Sequence, residues 1–212
     1  MNTSLTTALE PAVPESLTAD GTRYRLLRAG LEGLFDRGFH GTSIRDIAER
    51  AGVQSATLYG HFASKEELLA ELVVLGHAEH HRRLVDALMD AGPDPRDQLR
   101  ALVSAHVRGH AEFPVLASVS TAELPRLSPS AAAPAYALRE KSLDLLVTVI
   151  DRGIRQGLFA IDHRELTIHA IATMGATVAA LFTSRPDHPD VDAVSEGMSD
   201  LALRLVTAPT TP

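Results

Sequence analysis

The sequence from Gly41 to Glu67, GTSIRDIAERAGVQSATLYGHFASKEE, contains two short helical patterns separated by a glycine. The first pattern opens with Ser43-x-x-Asp46, which has the spacing of a capping box at a helix N-terminus. Gly52 follows it and can adopt the positive φ that a sharp turn requires. Two short helices joined by such a turn form a helix-turn-helix. The stretch therefore predicts this motif.

The second helix of the motif is predicted to enter the major groove of duplex DNA, with its N-terminal residues facing the base edges. Glutamine can pair with adenine, hydroxyl groups bond to several base edges, and methyl groups meet the methyl of thymine. The predicted base-facing residues are Gln54, Ser55, Ala56 and Thr57. The predicted phosphate contacts around them are Ser43, Tyr59, His61 and Lys65.

The charge distribution favours DNA as a partner of the N-terminal part of the chain. Seven basic and four acidic residues lie between Gly21 and Lys65, whereas the whole 212-residue chain has a formal net charge of -7. A basic head on an acidic body is expected where only the head approaches phosphate. The chain contains no cysteine, which excludes disulfides and thiolate zinc sites. We expect a cytoplasmic protein with no membrane partner.

Helical patterns continue on both sides of the motif. A first helix is expected at 22–37, ended by Gly38, and Ser64-x-x-Glu67 has the form of a cap for a long fourth helix. Further helices follow, and Asp162-x-x-Glu165 is expected to cap the penultimate one, which reaches about residue 184. The first helix has an apolar face formed by Tyr24, Leu27, Leu31, Leu34 and Phe35.

The fold class predicted from these patterns is all-α, because no stretch shows the sustained alternation of a strand. An N-terminal three-helix bundle with the helix-turn-helix precedes a larger helical domain, with about nine helices in total. The predicted parts are a flexible tail at 1–20, a DNA-binding domain at 21–65, an effector-binding and dimerisation domain at 66–206, and a frayed C-terminus at 207–212.

The run Leu58-Tyr59-Gly60-His61-Phe62, followed by Ser64-Lys65-Glu66, resembles the signature of the TetR family of transcriptional regulators. The resemblance extends over 23–72 and departs from many members at Ser55, Ala56 and Gly60. It implies a homodimer, formed by the last two long helices, on a palindromic operator. It also implies a small-molecule effector that moves the fourth helix and releases the DNA. A repressor is favoured over an activator or a helical adaptor without operator function.

The second domain is predicted to hold the effector, and no cofactor is required. The stretch from Phe113 to Leu124, with Gly157-x-Phe159, resembles regulators of lipid, acyl-CoA or steroid catabolism, which implies a small hydrophobic effector. Residues of the predicted pocket wall are Leu88, Val103, Val107, Phe113 and Met174, although apolar residues of this kind are more often plain core than ligand contacts. Because no nucleophile elbow, phosphate-binding loop or dinucleotide fingerprint occurs, we expect no enzyme activity.

Histidines are concentrated in two predicted helices. His77 and His81 are four residues apart in the fourth helix, and His106 and His110 are four apart in the fifth. An i, i+4 pair projects both imidazoles from one helical face, which is the arrangement that a metal site needs. The alternative is that these histidines face solvent or the edge of the core. The sequence predicts a divalent metal as one option for these four residues.

Overall fold

The computed structural model describes residues 21–183 and 189–207, which are nearly all helical. These two ranges contain no strand, so the all-α prediction is confirmed. Short turns of 3-10 helix occupy Leu124–Arg126 and Gly175–Thr177. The α-helices are α1 (Gly21–Gly41), α2 (Ile44–Arg50), α3 (Ser55–His61), α4 (Lys65–Asp90), α5 (Pro95–Glu112), α6 (Pro114–Glu123), α7 (Pro129–Arg155), α8 (Arg164–Met174), α9 (Val178–Thr183) and α10 (Val191–Thr207).

The helix order follows the predicted order, with one difference in the penultimate helix. This helix is divided by the turn at Gly175–Thr177 into α8 and α9. The predicted tail at 1–20 lies outside the described residues. So does the predicted frayed C-terminus, except for Thr207, which ends α10.

The chain forms two compact units. The first contains the described residues up to Glu79 together with Val115–Leu138, and the second contains His80–Pro114 together with the described residues from Arg139 onwards. The division falls within α4 and again within α7.

The first unit has a core of leucines contributed mainly by α1 and α4. The apolar face of α1 that packs into this core includes Leu26. Phe35, which the sequence analysis places on this face, is 38% exposed, so that prediction was wrong. Gly38 has a φ of 68° and ends the regular part of α1, where the sequence predicts a stop. The largest fully buried side chains of this unit are Leu26, Leu27, Leu31, Leu34, Ile47, Leu58, Phe62, Leu68, Leu69, Leu72 and Leu124.

The second unit has a separate apolar core. It joins α5, α7 and the last three helices, and its buried members include Leu99, Val107, Ile150 and Phe182. Residues Arg164–Thr183 have a mean hydropathy of 1.6 and are long and apolar enough to cross a membrane by length and composition alone. Ile168, Ile171 and Val178 of this stretch are buried in the core of the unit, and 35% of the apolar window is buried in all.

The start of α8 differs from the predicted cap at Asp162. The residue that precedes the helix is His163, and its side chain makes no capping hydrogen bond. Arg164 instead forms a bidentate pair with Asp151, with Nε 2.7 Å from Oδ1 and Nη2 2.8 Å from Oδ2. This pair joins the end of α7 to the first residue of α8.

Candidate nucleic-acid interface

The turn between α2 and α3 depends on the conformation of Gly52. Its φ is 67°, in the left-handed region that an L side chain rarely adopts. The Val53 amide donates to the carbonyl of Ala48 over 2.9 Å, and the Gly52 amide donates to the carbonyl of Glu49 over 3.1 Å. These bonds satisfy carbonyls at the C-terminus of α2, as in a Schellman motif. The turn therefore has the conformation that the sequence predicts.

The start of α2 is fixed by the predicted capping box. The Asp46 amide donates to Ser43 Oγ over 3.1 Å, and the Ser43 amide donates to Asp46 Oδ2 over 3.0 Å. The bonds from the backbone and side chain of Ser43 lower the pKa of the Asp46 carboxyl group. Ser43 is exposed, and its hydroxyl accepts from the Asp46 amide and also bonds to the Asp46 carboxylate.

The two faces of α3 are sharply different. Leu58 and Phe62 point into the core of the first unit and are 0% and 1% exposed. Gln54, Ala56 and Thr57 are exposed, whereas Ser55 is half-buried. The Gln54 side chain makes no capping hydrogen bond. The helix therefore presents the predicted base-facing residues on its outer side, and Tyr59, which is 57% exposed, extends this outer surface.

The Lys65 side chain, which is predicted to contact phosphate, instead bonds to backbone carbonyls of the protein. Its Nζ donates to the carbonyl of Thr42 over 2.7 Å and also to the carbonyl of Phe39, and it lies 4.1 Å from the centroid of the Phe39 ring. Burial lowers the pKa of Lys65, and the carboxylate of Glu123 opposes this effect. The side chain therefore joins the N-terminus of α4 to the segment between α1 and α2.

Arg23 forms a second connection within the first unit. Its Nη1 donates to the carbonyl of His61 over 3.1 Å, its Nε donates to Glu71 Oε1 over 3.0 Å, and its guanidinium lies 4.5 Å from the centroid of the Phe62 ring. One arginine of α1 thus contacts both the end of α3 and α4. The His61 side chain is half-buried beside this connection, although the sequence predicts it as a phosphate contact.

The basic residues of this unit are largely engaged with neighbouring acids. Arg37 lies 3.6 Å from Asp46, and Arg50 lies 3.3 Å from Asp36. Arg45 is an exception, because its side chain is exposed and forms no hydrogen bond or ion pair with any residue in 21–183 or 189–207. Arg45 was not among the predicted phosphate contacts, although it lies two residues after the cap of α2.

The histidines form a set that differs from the predicted one. His106 and His110 meet as their spacing predicts, and His80 of α4 joins them, so that one potential ligand atom from each lies within 4.8 Å of the others. His81 is directed elsewhere, with Nδ1 3.2 Å from Ser142 Oγ, and His77 belongs to the first unit. His80 lies one turn of α4 before Leu84, which is buried in the core of the second unit, whereas His77 lies nearly one turn further towards the N-terminus of α4, within the first unit.

The predicted pocket residues have mixed placements. Val103 and Val107 are buried in the core of the second unit, and Leu88 packs against it. The Phe113 ring lies beneath the guanidinium of Arg83, 5.0 Å away. Met174 lines a surface groove of 440 Å³ with Thr177, Met198, Leu201, Arg204 and Leu205. Of the five predicted residues, Met174 alone lines this groove.

The geometry of the first unit defines a class of protein. A glycine turn holds a short helix whose outer side is polar and exposed, and this is the arrangement by which helix-turn-helix proteins read duplex DNA. Two family models match the chain: that of bacterial regulatory proteins of the tetR family over residues 26–72, and that of the tetracyclin repressor-like C-terminal domain over residues 92–206. The chain belongs to the TetR family and is a DNA-binding transcriptional regulator.

Relatives and solved structures agree with this family. The transcriptional repressor KstR2 of Mycobacterium tuberculosis is 30% identical over 144 residues, 66% of this chain and 70% of that protein. The solved structure of KstR2, a ketosteroid transcriptional regulator, has a TM-score of 0.79, is 26% identical and covers 90% of this chain and 97% of that one.

Two further proteins are also similar. The transcriptional activator FasR of Mycolicibacterium smegmatis is 39% identical over 89 residues, 42% of this chain and 40% of that protein. A tetR-family regulatory protein from Rhodococcus RHA1 has a TM-score of 0.83, is 26% identical and covers 90% of this chain and all of that chain.

Proposed function

We propose that the protein is a repressor that binds a palindromic operator as a homodimer and is released by a small apolar effector. The observation that supports the DNA-binding part most directly is the outer face of α3, where Gln54, Ala56 and Thr57 are exposed. Repression is favoured because KstR2, a repressor, is similar over most of this chain. We infer a cytoplasmic location without a catalytic role, because both are expected of a DNA-binding transcriptional regulator.

Base reading is assigned to Gln54, Ser55, Ala56 and Thr57. These residues are at the N-terminus of α3, which is the end that meets base edges in helix-turn-helix complexes. Phosphate contacts are assigned to Ser43, Tyr59 and Arg45, whose side chains are exposed. His61 and Lys65 act by holding α3 and α4 in place.

Titration of a labelled DNA fragment from the gene's own upstream region, followed by fluorescence anisotropy, tests this assignment. A good base contact contributes about 1–3 kcal/mol of discrimination, so Gln54→Ala and Thr57→Ala should each weaken binding to the operator by about tenfold or more. Gln156→Ala, an exposed glutamine in the second unit, is the matched control. Parent-like affinity of both α3 variants would contradict the assignment.

Arg45 has a separate test, because a phosphate contact is not sequence-specific. Arg45→Gln should weaken binding to operator and random DNA alike, and it should reduce the dependence of log K on log salt concentration by about one unit per subunit. An unchanged salt slope would remove Arg45 from the interface.

A small apolar effector is proposed because the similar protein KstR2 is a ketosteroid transcriptional regulator. The mechanism rests on chain connectivity, since α3 ends at His61 and α4 begins at Lys65. A displacement of α4 on effector binding therefore moves α3 through a short connection, and an effector that prefers the displaced state lowers operator affinity. Titrating the protein–DNA complex with a 3-ketosteroid and, separately, with stearoyl-CoA tests whether a steroid or a fatty-acyl compound releases the DNA. Release by neither compound would leave this apolar class without support.

The direction of regulation is decided by a reporter fused to the operator. Deleting the gene should raise expression from a repressed promoter. A fall in expression would identify an activator, the activity that the similar protein FasR has by name, and would overturn the repressor proposal while leaving DNA binding intact.

A further inference from the structure

A cluster of three imidazoles lies in the second unit, away from the DNA-reading helix. We refer to His80, His106 and His110 as the three-histidine cluster. The ring centroids are 4.7 Å apart for His80 and His106, 5.3 Å for His80 and His110, and 4.5 Å for His106 and His110. Two of the rings come from α5 and one comes from α4, so the cluster joins two helices of one compact unit.

The separations are close to those of a metal site. Three atoms that all lie within 4.8 Å of one another are each within about 2.8 Å of a common point, compared with the 2.0–2.1 Å of a Zn–N bond. An inward movement of less than about 1 Å by each nitrogen would therefore complete the coordination distances. The rings of His106 and His110 are now nearly parallel, at 21°, and coordination requires them to tilt towards one point.

The ring nitrogens of His106 and His110, both in α5, are able to bind a metal ion. Nδ1 of His110 lies 2.8 Å from the carbonyl oxygen of His106, so its proton is donated there and Nε2 is left with its lone pair. A ligating histidine commonly fixes its other nitrogen in this way. Nε2 of His106 is buried and has no hydrogen-bond partner among the described residues. A buried polar atom without a partner is costly, and a bound cation would remove this cost.

The protonation states of His106 and His110 also favour metal binding. Burial, together with the neighbouring imidazoles of His110 and His80, holds the pKa of His106 well below its usual range. Burial also lowers the pKa of His110, against the opposing effect of its bond to the carbonyl of His106. Neutral imidazole is the form that binds metal ions.

We propose that the three-histidine cluster binds one divalent transition-metal ion per chain, of the type that includes Zn²⁺, Co²⁺ and Ni²⁺. Imidazole nitrogen is a preferred ligand of these ions. Three protein ligands leave one position of a tetrahedral ion for water or another small ligand. The ion links α4 to α5 within the second unit. Binding of this ion requires neither the proposed operator nor the proposed effector.

The test uses the full-length protein after removal of metal ions with a chelator. Titration with Co²⁺ should give visible d–d absorption that saturates at one ion per chain, and Zn²⁺ should displace the Co²⁺. His80→Ala and His110→Ala should each weaken Co²⁺ binding by at least about 100-fold. His77→Ala and His81→Ala, on the same helix as His80, are the matched controls and should bind as the parent does.

Two results would overturn the proposal. One is the absence of saturable Co²⁺ absorption in the parent protein, and the other is parent-like binding by the His80 and His110 variants. X-ray absorption spectroscopy of the Zn²⁺-loaded parent protein keeps the test independent of variant folding. Three imidazole scatterers are expected at the zinc, and a shell of oxygen atoms alone would refute the site.

Discussion

At the scale of single residues, Gly175 shows how one position depends on a distant side chain. Its φ is -70°, a conformation open to any residue, so the backbone does not require glycine there. A Cβ at this position would instead overlap the imidazole ring of His106. The glycine is therefore needed for space, and the ring of α5 lies directly against the C-terminus of α8.

Gly175→Ala is expected to lower the free energy of unfolding. Inserting a methyl group into a filled site typically costs about 1–3 kcal/mol. Gly197→Ala in α10 is the matched control, because a Cβ there would meet nothing within 4 Å, and it should stabilise the helix by about 0.5–1 kcal/mol. Chemical denaturation of both variants measures the difference. Equal effects of the two changes would show that His106 does not occupy this space.

A second prediction at this scale concerns Lys65. A structural role would affect the stability of the protein, whereas a phosphate contact would affect DNA binding. Lys65→Met removes the hydrogen bonds to the carbonyls of Phe39 and Thr42 and should destabilise the protein by about 1–3 kcal/mol. A phosphate contact would leave the stability unchanged and reduce the salt dependence of DNA binding. Thermal unfolding without DNA distinguishes the roles, and an unchanged Tm would restore the predicted phosphate contact.

Sequence reasoning succeeded at residues whose role is local. The φ of Gly52 and the bonds of Ser43 to Asp46 depend on neighbours within a few positions, so a short stretch predicts them. It failed where the partner is distant in sequence. The carbonyls that bind Lys65, and the α5 rings that select His80 over His77, come from segments more than twenty residues away.

At the scale of helices, the pair of Asp151 and Arg164 joins the end of α7 to the first residue of α8. The bonds from Arg164 lower the pKa of the Asp151 carboxyl group below its ordinary value of 3.8. A carboxyl group with a lowered pKa in the folded state contributes stability that is complete above its unfolded pKa. That stability is lost as the pH falls through the folded pKa.

Asp151→Asn should therefore lower the Tm at neutral pH, and the difference from the parent protein should shrink as the pH falls below 3.8. Glu196→Gln in α10 removes one charge from an exposed residue and serves as the control. Thermal unfolding followed by circular dichroism across the pH range measures the effect. A Tm difference that does not change with pH would contradict the electrostatic explanation.

Helix order could be predicted from periodicity and caps, but the break between α8 and α9 could not. Residues 162–184 have the apolar composition of one continuous helix, and a single glycine is tolerated within a helix. The turn at Gly175–Thr177 lies where the His106 ring packs against the chain. This contact joins α5 to α8, so no pattern within the segment reveals it.

At the scale of the whole molecule, the groove lined by Met174, Met198, Leu201 and Leu205 is the surface expected to join two chains. Leu201 and Leu205 are 48% and 41% exposed and are four residues apart on one face of α10. Gly175 and Ala179 are buried within the unit.

Changing both leucines, Leu201→Glu with Leu205→Glu, should convert the dimer to a monomer of 22.7 kDa, because two buried charges would face their own copies across a two-fold axis. Met89→Glu is the control, since Met89 is 80% exposed and lies outside the groove. Light scattering at several concentrations measures the mass. A variant that remains dimeric would move the interface elsewhere.

The exposed leucines of α10 also affect how the regulator responds to its own abundance. If two chains must associate before either can read its half-site, operator occupancy at low abundance rises with the square of the number of free chains. Halving the rate of synthesis would then reduce occupancy about fourfold. A cell that dilutes the protein by growth would thus relieve repression steeply, without any change in the concentration of the effector.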